Sequence, residues 1–138
     1  MPIGVSPRVS QNQVRDYLPV DAYAVVKGFA VALINDEGTM KIVPCSADTY
    51  SGSFIGFADA TQVLPGRIPI VSAAGSYINP CVENGDPLVP GGSVWLSSTP
   101  GRVTQTVPSA PGCRILRVGV ALNPLMMILV KEPSPQVG

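Results

Sequence analysis

Proline and glycine recur along the whole chain and limit what it can fold into. The sequence has 138 residues, of which 14 are glycine and 15 are proline, and these are spread through it rather than concentrated in a tail. Proline is excluded from helix interiors and from central strands. The segments between these residues are short β-branched and aliphatic runs, and no eleven-residue window carries apolar residues at the helical period. The sequence therefore predicts an all-β fold.

Nine strands are predicted from these runs, and two of the connections have the composition of tight hairpins. The strands are expected at 24–34, 40–44, 53–58, 67–72, 77–82, 93–97, 103–107, 115–121 and 125–131. Asn35 to Gly38 and Ser97 to Gly101 each join two runs and end in glycine, as a four- or five-residue hairpin with a left-handed position requires. A short helix is expected only at 10–18.

The chain also resembles itself at an offset of 63 residues. Without a gap, 26–58 matches 89–121 at nine of 33 positions. The identical pairs are Val26/Val89, Gly28/Gly91, Val31/Val94, Leu33/Leu96, Gly38/Gly101, Ser46/Ser109, Ala47/Ala110, Gly56/Gly119 and Ala58/Ala121. Each unit alone would leave a β face exposed, so we expect the two units to pack together as a barrel or tight sandwich with approximate two-fold character. A coincidence between glycine-punctuated strands is the alternative, and it would leave the all-β prediction unchanged.

The low charge of the chain bears on its partners. Nine Lys and Arg balance nine Asp and Glu, and charged residues make up 13% of the chain, about half of the usual share of roughly 25%. Binding to nucleic acid or to a membrane surface needs clustered Lys and Arg, so neither partner is expected. Little charge repulsion opposes association, so contact between copies of the chain is expected.

The chain contains no histidine, which removes much enzyme chemistry. Ser-His-Asp and Cys-His nucleophiles, HExxH zinc sites and facial-triad iron sites all need an imidazole. We therefore predict a protein that is not an enzyme, with no catalytic residue, cofactor or metal site. A hydrolase that depends on cysteine or on Asp and Ser is the weaker alternative. Cys45, Cys81 and Cys113 are predicted to be small core residues, with one disulfide plus a free thiol, or a thiolate nucleophile, as alternatives.

Two apolar segments are candidates for contact between subunits. Trp95 alternates with Val94 and Leu96, so pleating directs its side chain to the opposite face, toward a rim or a partner; a strand buried on both faces is the alternative. The run 125–130 lacks alternation, which fits either a strand buried on both faces or one covered by a neighbouring subunit. The residues assigned to subunit packing are Trp95, Leu125, Met127 and Leu129.

The two ends of the chain differ in composition from the rest. Residues 1–16 are predicted to form an extended arm, 17–131 a β-barrel domain, and 132–138 a short proline-rich tail. No targeting segment is predicted, because Pro2, Gly4 and Pro7 interrupt the first ten residues. No membrane span is predicted either, since the longest apolar run has six residues.

The second repeat unit carries a pattern that resembles a known family. Residues 92–104 read GSVWLSSTPGRVT, lead into Val107-Pro108-Ser109, and continue as RVGVAL at 117–122. The first unit echoes this pattern with Gly28, Val31, Gly38 and FIGFA at 54–58. Over about 26–130, these glycines and aliphatic residues resemble the signature of small tailed-phage head proteins, the capsid decoration or cement proteins.

This resemblance implies a compact β-barrel or β-tulip domain, often a homotrimer, that binds the outer surface of the expanded major capsid protein lattice and stabilises the phage head. It also implies an extended terminal arm that pairs with capsid strands. The arm residues assigned to capsid contact are Ile3, Val5, Arg8, Val9 and Arg15. The expected location is the outer surface of the virion capsid, after synthesis in the host cytoplasm. A tail-fibre, baseplate or carbohydrate-binding β module of a virion is the alternative.

Overall fold

The computed structural model of the chain describes residues 14–20, 25–61, 67–109, 111–131 and 136–137. These residues form strands and two short 3-10 turns, at Ser51–Ser53 and Glu83–Gly85. The strands are β1 (Val14–Pro19), β2 (Ala30–Asp36), β3 (Thr39–Pro44), β4 (Phe54–Ala58), β5 (Ile68–Val71), β6 (Tyr77–Ile78), β7 (Ser93–Leu96), β8 (Val103–Thr104), β9 (Arg114–Ile115), β10 (Arg117–Asn123), β11 (Met126–Leu129) and β12 (Gln136–Val137). The all-β prediction is confirmed.

The first repeat unit, β1 to β5, is a closed barrel with the strand order β1-β3-β2-β4-β5. Neighbouring strands run antiparallel, except that β1 and β3 are parallel and pair Leu18 with Lys41. Pairing of β1 with β5 closes the sheet on itself, which satisfies the backbone groups of both strands. The side chains that fill this barrel have almost no solvent exposure; they are Val25, Val31, Ile42, Ala58, Ile68 and Ile70.

The second repeat unit contains β6, β7, β8, β10 and β11, in the order β6-β11-β10-β7-β8. An isolated parallel bridge between Val82 and Val103 connects the two ends of this sheet. That bridge takes the place of the parallel pairing between β1 and β3 in the first unit. The remaining strands, β9 and β12, pair with each other outside this sheet.

Strand pairing confirms the internal repeat residue by residue. The matching pairs are Ala30–Phe57, Val31–Gly56 and Ala32–Phe54 in the first unit, and Ser93–Val120, Val94–Gly119 and Trp95–Arg117 in the second. The offset of 63 residues therefore holds for β2 with β7 and for β4 with β10, and the register shifts at the same place in both units. The offset between equivalent residues is 61 for β3 with β8 and 57 for β5 with β11, because the loops between strands differ in length between the two units.

The shared register shift explains why both units carry a glycine there. A Cβ added at Gly56 would collide with the carbonyl oxygen of Val71. One added at Gly119 would lie 2.8 Å from the corresponding carbonyl oxygen of Ile128 and 2.5 Å from Sδ of Met127. A side chain at either position would push the neighbouring strand away, so only glycine fits.

The predicted hairpin between β2 and β3 forms, but its turn is shorter than the four or five residues expected. Asp36 pairs with Thr39, which leaves Glu37 and Gly38 as a two-residue turn with φ of 54° and 90°. Two positive φ values match the twist of the flanking strands and are the reason for a glycine at the second position. Asn35 supports the turn, because its Oδ1 accepts a hydrogen bond from the Gly38 N–H at 2.8 Å.

The two units contact each other through segments that are not equivalent in the repeat. The Ala30 N–H donates to the Gly101 carbonyl, the Gly101 N–H donates to the Cys45 carbonyl, both at 2.8 Å, and the Ala47 N–H donates to the Ser97 carbonyl at 2.7 Å. The β7–β8 connection of the second unit thus lies on the first unit. The matching contact from the first unit is not made, since Gly38, the counterpart of Gly101 in the sequence repeat, is exposed and has open space around it. The two-fold character expected for the repeat is therefore wrong.

Both predicted boundaries of the barrel domain need correction. The helix expected at 10–18 is wrong over its described part, because Val14 to Tyr17 pair with β5 as strand β1. The boundary placed at residue 17 consequently falls inside a barrel strand. In the predicted tail 132–138, Gln136 and Val137 pair with Ile115 and Arg114. The described end of the chain therefore returns to the second half of the molecule.

The close approach at the two glycines predicts a matched pair of destabilised variants. We expect Gly56→Ala and Gly119→Ala each to lower the free energy of unfolding by about 1–3 kcal/mol, the usual effect of overpacking a filled site. Gly52→Ala is the control, since its Cβ would meet only Nη1 of Arg114 at 3.7 Å. Urea titration of the three variants measures the effect. Equal stability of Gly56→Ala and Gly52→Ala would contradict the close approach.

Candidate functional site

The residues predicted for capsid and subunit contact fall in different places. Ile3, Val5, Arg8 and Val9 lie outside the described residues. Arg15 belongs to β1, where its backbone pairs with Ile70, so it is part of the barrel wall rather than of a free arm.

The four residues assigned to subunit packing divide in the same way. Trp95 is half-buried and lies opposite Val94 and Leu96, which have no exposed surface, so the pleating argument gave its face correctly. Leu125 is 74% exposed in the β10–β11 turn. Met127 and Leu129 have no exposed surface and pack in the core of their own chain, so their assignment to subunit packing is wrong.

The outer faces of the two units differ sharply in burial. In the first unit this face is buried throughout; its residues are Ala30, Ala32, Val43, Cys45, Phe57 and Val71, each at most 8% exposed. Their counterparts form what we call the second-unit outer face: Ser93, Trp95, Thr104, Thr106, Val120 and Ile128. All six are half-buried or exposed. The interiors do not differ, because Val31 and Val94 are equally buried.

A second contrast lies at one end of the first barrel. Ile55 and Ser72 are half-buried there, whereas their counterparts Val118 and Leu129 are completely buried. Together with Tyr17, Phe54, Ile70 and Lys131, these two residues line a cavity of about 250 Å³, which we call the first-unit cavity. The Lys131 ammonium lies 5.9 Å from the centre of the Phe54 ring and donates to the Ile55 carbonyl at 3.1 Å. Partial burial lowers the pKa of Lys131.

A third surface is formed by apolar residues beside the β10–β11 turn. Val89 and Leu125 are 66% and 74% exposed, and Leu122 is 39% exposed. Backbone hydrogen bonds hold these segments side by side: the Leu88 N–H donates to the Pro124 carbonyl at 2.9 Å, and the Gly91 N–H donates to the Ala121 carbonyl at 2.8 Å. Pro87, Val89, Leu122, Pro124 and Leu125 make up this apolar patch.

Sequence reasoning missed Val89 and Leu122 because neither belongs to an alternating pattern that marks an outward position. Comparison of the two repeat units could have identified both residues as exposed. Val89 corresponds to Val26, which is 39% exposed, and Leu122 corresponds to the exposed Asp59. An aliphatic residue at a position that is acidic and exposed in the other unit indicates a surface apolar side chain.

The cysteines are placed as small core residues, with one exception. Cys45 and Cys113 are buried, Cys81 is half-buried, and all three are free thiols. Burial raises the pKa of the Cys45 thiol. Burial also raises the pKa of Cys81, and the positive charge of Arg102 opposes this only in part. The thiols of Cys45 and Cys81 therefore stay protonated at neutral pH, which suits packing rather than nucleophilic attack.

The other polar groups of the described residues serve local structure. Oε1 of Glu83 accepts a short hydrogen bond from the Ser97 hydroxyl and a longer one, at 3.4 Å, from Thr99. Arg102 donates to the Val82 carbonyl at 3.1 Å. Over these residues, no group of three or more Cys, Asp and Glu side chains is arranged to hold a metal ion. No helix among them is long and apolar enough to cross a membrane.

Comparison of the chain with protein-family models, with curated proteins and with solved structures finds no match. The geometry thus offers three surfaces, namely the second-unit outer face, the first-unit cavity and the apolar patch. The apolar patch is suited to contact by burial of apolar area, whereas the other two surfaces mix apolar side chains with polar ones.

The raised thiol pKa values predict a pattern of alkylation. At pH 7 we expect iodoacetamide to modify Cys81 more slowly than free cysteine, because burial disfavours its thiolate. Cys45 and Cys113 should stay unmodified in the native protein, because both side chains are buried away from the reagent. The Cys81 rate should keep rising as the pH passes the ordinary thiol pKa. Mass spectrometry of labelled peptides measures this, with the urea-unfolded protein as the control in which all three react. Rapid labelling of Cys45 at neutral pH would contradict its placement.

Proposed function

We propose that the chain is a structural protein of a tailed-phage head that binds the outer surface of the major capsid lattice and stabilises it. The observation that carries the proposal is the apolar patch, where Val89, Leu122 and Leu125 expose aliphatic surface beside the β10–β11 turn of the second unit. Exposed apolar patches of this kind mark protein-contact sites. The resemblance of 92–122 to decoration proteins indicates that the partner at this contact is the major capsid protein.

The low charge of the chain supports an adhesive rather than a steered contact. With zero net charge and 13% charged residues, long-range attraction contributes little. Affinity would come from apolar burial at the patch, and from backbone hydrogen bonds if the segment 1–13 adds to a capsid strand. Because a shell repeats the same site many times, a multimer of the chain would hold several capsid subunits together and gain from multivalency.

The position of β1 supports the role of the leading segment. Val14, the first residue of β1, pairs with Val71 of the closed barrel. Segment 1–13 is joined covalently to this paired strand. A pull on that segment would be transmitted to the closed sheet. The segment carries Ile3, Val5, Arg8 and Val9, four of the five residues assigned to capsid contact.

The apolar patch predicts a pair of matched variants. Leu122→Asp places an acidic residue where the first unit already has the exposed Asp59, so the fold should be retained. We expect Leu122→Asp combined with Val89→Asp to weaken binding to expanded, DNA-free heads at least tenfold, which corresponds to about 1.4 kcal/mol. Val26→Asp, at the repeat counterpart of Val89, should bind as the unaltered chain does. Co-sedimentation with the heads measures occupancy, and an equal loss in both variants would contradict the patch.

The leading segment predicts a second loss of binding. Deletion of 1–13, which stops before β1, should leave the barrel folded and reduce the fraction of chain that co-sediments with expanded heads several-fold. The thermal unfolding transition of the shortened chain is the control for its fold. Undiminished occupancy with an unchanged transition would rule out a capsid-contact role for this segment.

A further inference from the structure

The internal repeat allows two equivalent contacts to be compared. The outer face of the first unit is covered by the second unit, whereas the outer face of the second unit is not covered by the first. The outer face of the first unit and the interior of the second form one continuous cluster of buried residues. Within it, Ala32 and Phe57 belong to the first-unit outer face, and Leu96, Val118 and Leu129 belong to the second unit. The first-unit outer face therefore packs against interior side chains of the second unit.

The reverse contact is left unmade. The second-unit outer face, with Trp95, Val120 and Ile128, stays partly exposed. The counterparts of Val118 and Leu129 are Ile55 and Ser72, which line the first-unit cavity instead of a filled core. Each unit thus has one surface without its partner in this contact. On the second unit it is the second-unit outer face, and on the first unit it is the first-unit cavity.

Both units carry the two unlike surfaces of this contact, but the contact is made only once within the molecule. The two surfaces left over can therefore make the same contact between one molecule and the next. Such head-to-tail contacts generate rings when the rotation closes and open arrays when it does not. We propose that the second-unit outer face of one copy packs against the first-unit cavity of another copy, and so repeats between molecules the contact made within each molecule.

The chemistry of the two surfaces suits this occupant. Trp95 stands where the first unit has the fully buried Ala32, so it projects further from the face than its counterpart does. The cavity has aromatic and aliphatic walls in Tyr17, Phe54 and Ile55, and it is large enough to admit part of a side chain. Buried aromatic anchors of this kind contribute most of the affinity in many interfaces.

The inference goes beyond the proposed function, because it concerns contact between copies and not contact with a shell. A chain that associates but does not bind heads would support it and contradict the proposed function. A chain that binds heads only as independent monomers would do the reverse.

The test uses two variants of the full chain that each break a different half of the contact. Trp95→Glu damages the outer face and leaves the cavity intact. Ile55→Glu damages the cavity and leaves the face intact, with Ser72→Glu as a second cavity variant in case Ile55→Glu does not fold. Val26→Asp, at an exposed residue outside all three surfaces, is the control. The unaltered chain should show concentration-dependent association by native mass spectrometry, as should the control.

We expect each single variant to associate at least tenfold more weakly than the unaltered chain. A mixture of Trp95→Glu with a cavity variant should form heterodimers that grow no further, because only one productive contact remains. A cavity variant that associates with itself as well as the unaltered chain does would show face-to-face packing and overturn the inference. So would an unaltered chain that is monomeric up to about 1 mM, the weak limit of specific association.

Trp95 is the single tryptophan of the chain and reports on the occupant directly. Acrylamide should quench the half-buried Trp95 in the dilute monomer, and quenching should become weaker as association proceeds. Quenching in the dilute monomer as weak as that of a fully buried tryptophan would show that the chain's own segments cover the face, and would overturn the inference.

Discussion

A strand that is apolar on both faces has to be covered twice, and β2 is such a strand. Val31 fills the interior of the first barrel, while Ala30 and Ala32 point the other way, and all three have no exposed surface. A closed barrel covers only the inner face. The outer face needs a second body, and the second unit provides it through the β7–β8 connection, which hydrogen-bonds to Ala30 and Cys45. The arrangement of the two units follows from this requirement.

Much of this architecture could be predicted from the sequence because it depends on local rules. Glycine and proline set the strand lengths, and the glycine of the Glu37-Gly38 turn marks a hairpin. Gly56 and Gly119 recur because a strand passes too close for a side chain, which makes the repeat visible by identity alone. Trp95 could be assigned to a face because it alternates with two aliphatic residues.

Other features depend on tertiary contacts that the sequence does not encode locally. The run from Leu125 to Val130 is apolar at every position, so nothing in it distinguishes Met127, which is buried, from Ile128, which is half-buried. Val14 to Pro19 lacks the β-branched enrichment of a strand, and it becomes one because β5 and β3 pair with it on either side. The sequence marks the unequal burial of the two outer faces only in part. Ser93, Thr104 and Thr106 are polar where the first unit has apolar residues, but Trp95, Val120 and Ile128 are as apolar as their buried counterparts.

The proposed role on a phage head depends on apolar side chains that the described residues leave exposed, above all Val89, Leu122 and Leu125. The most direct test of this account is electron cryomicroscopy of expanded phage heads with and without the added full-length chain. The account predicts new density on the outside of the shell, of a size that holds both units of the chain, with Val89 and Leu125 toward the capsid protein. Density confined to the tail, or an unchanged shell at saturating chain, would contradict it.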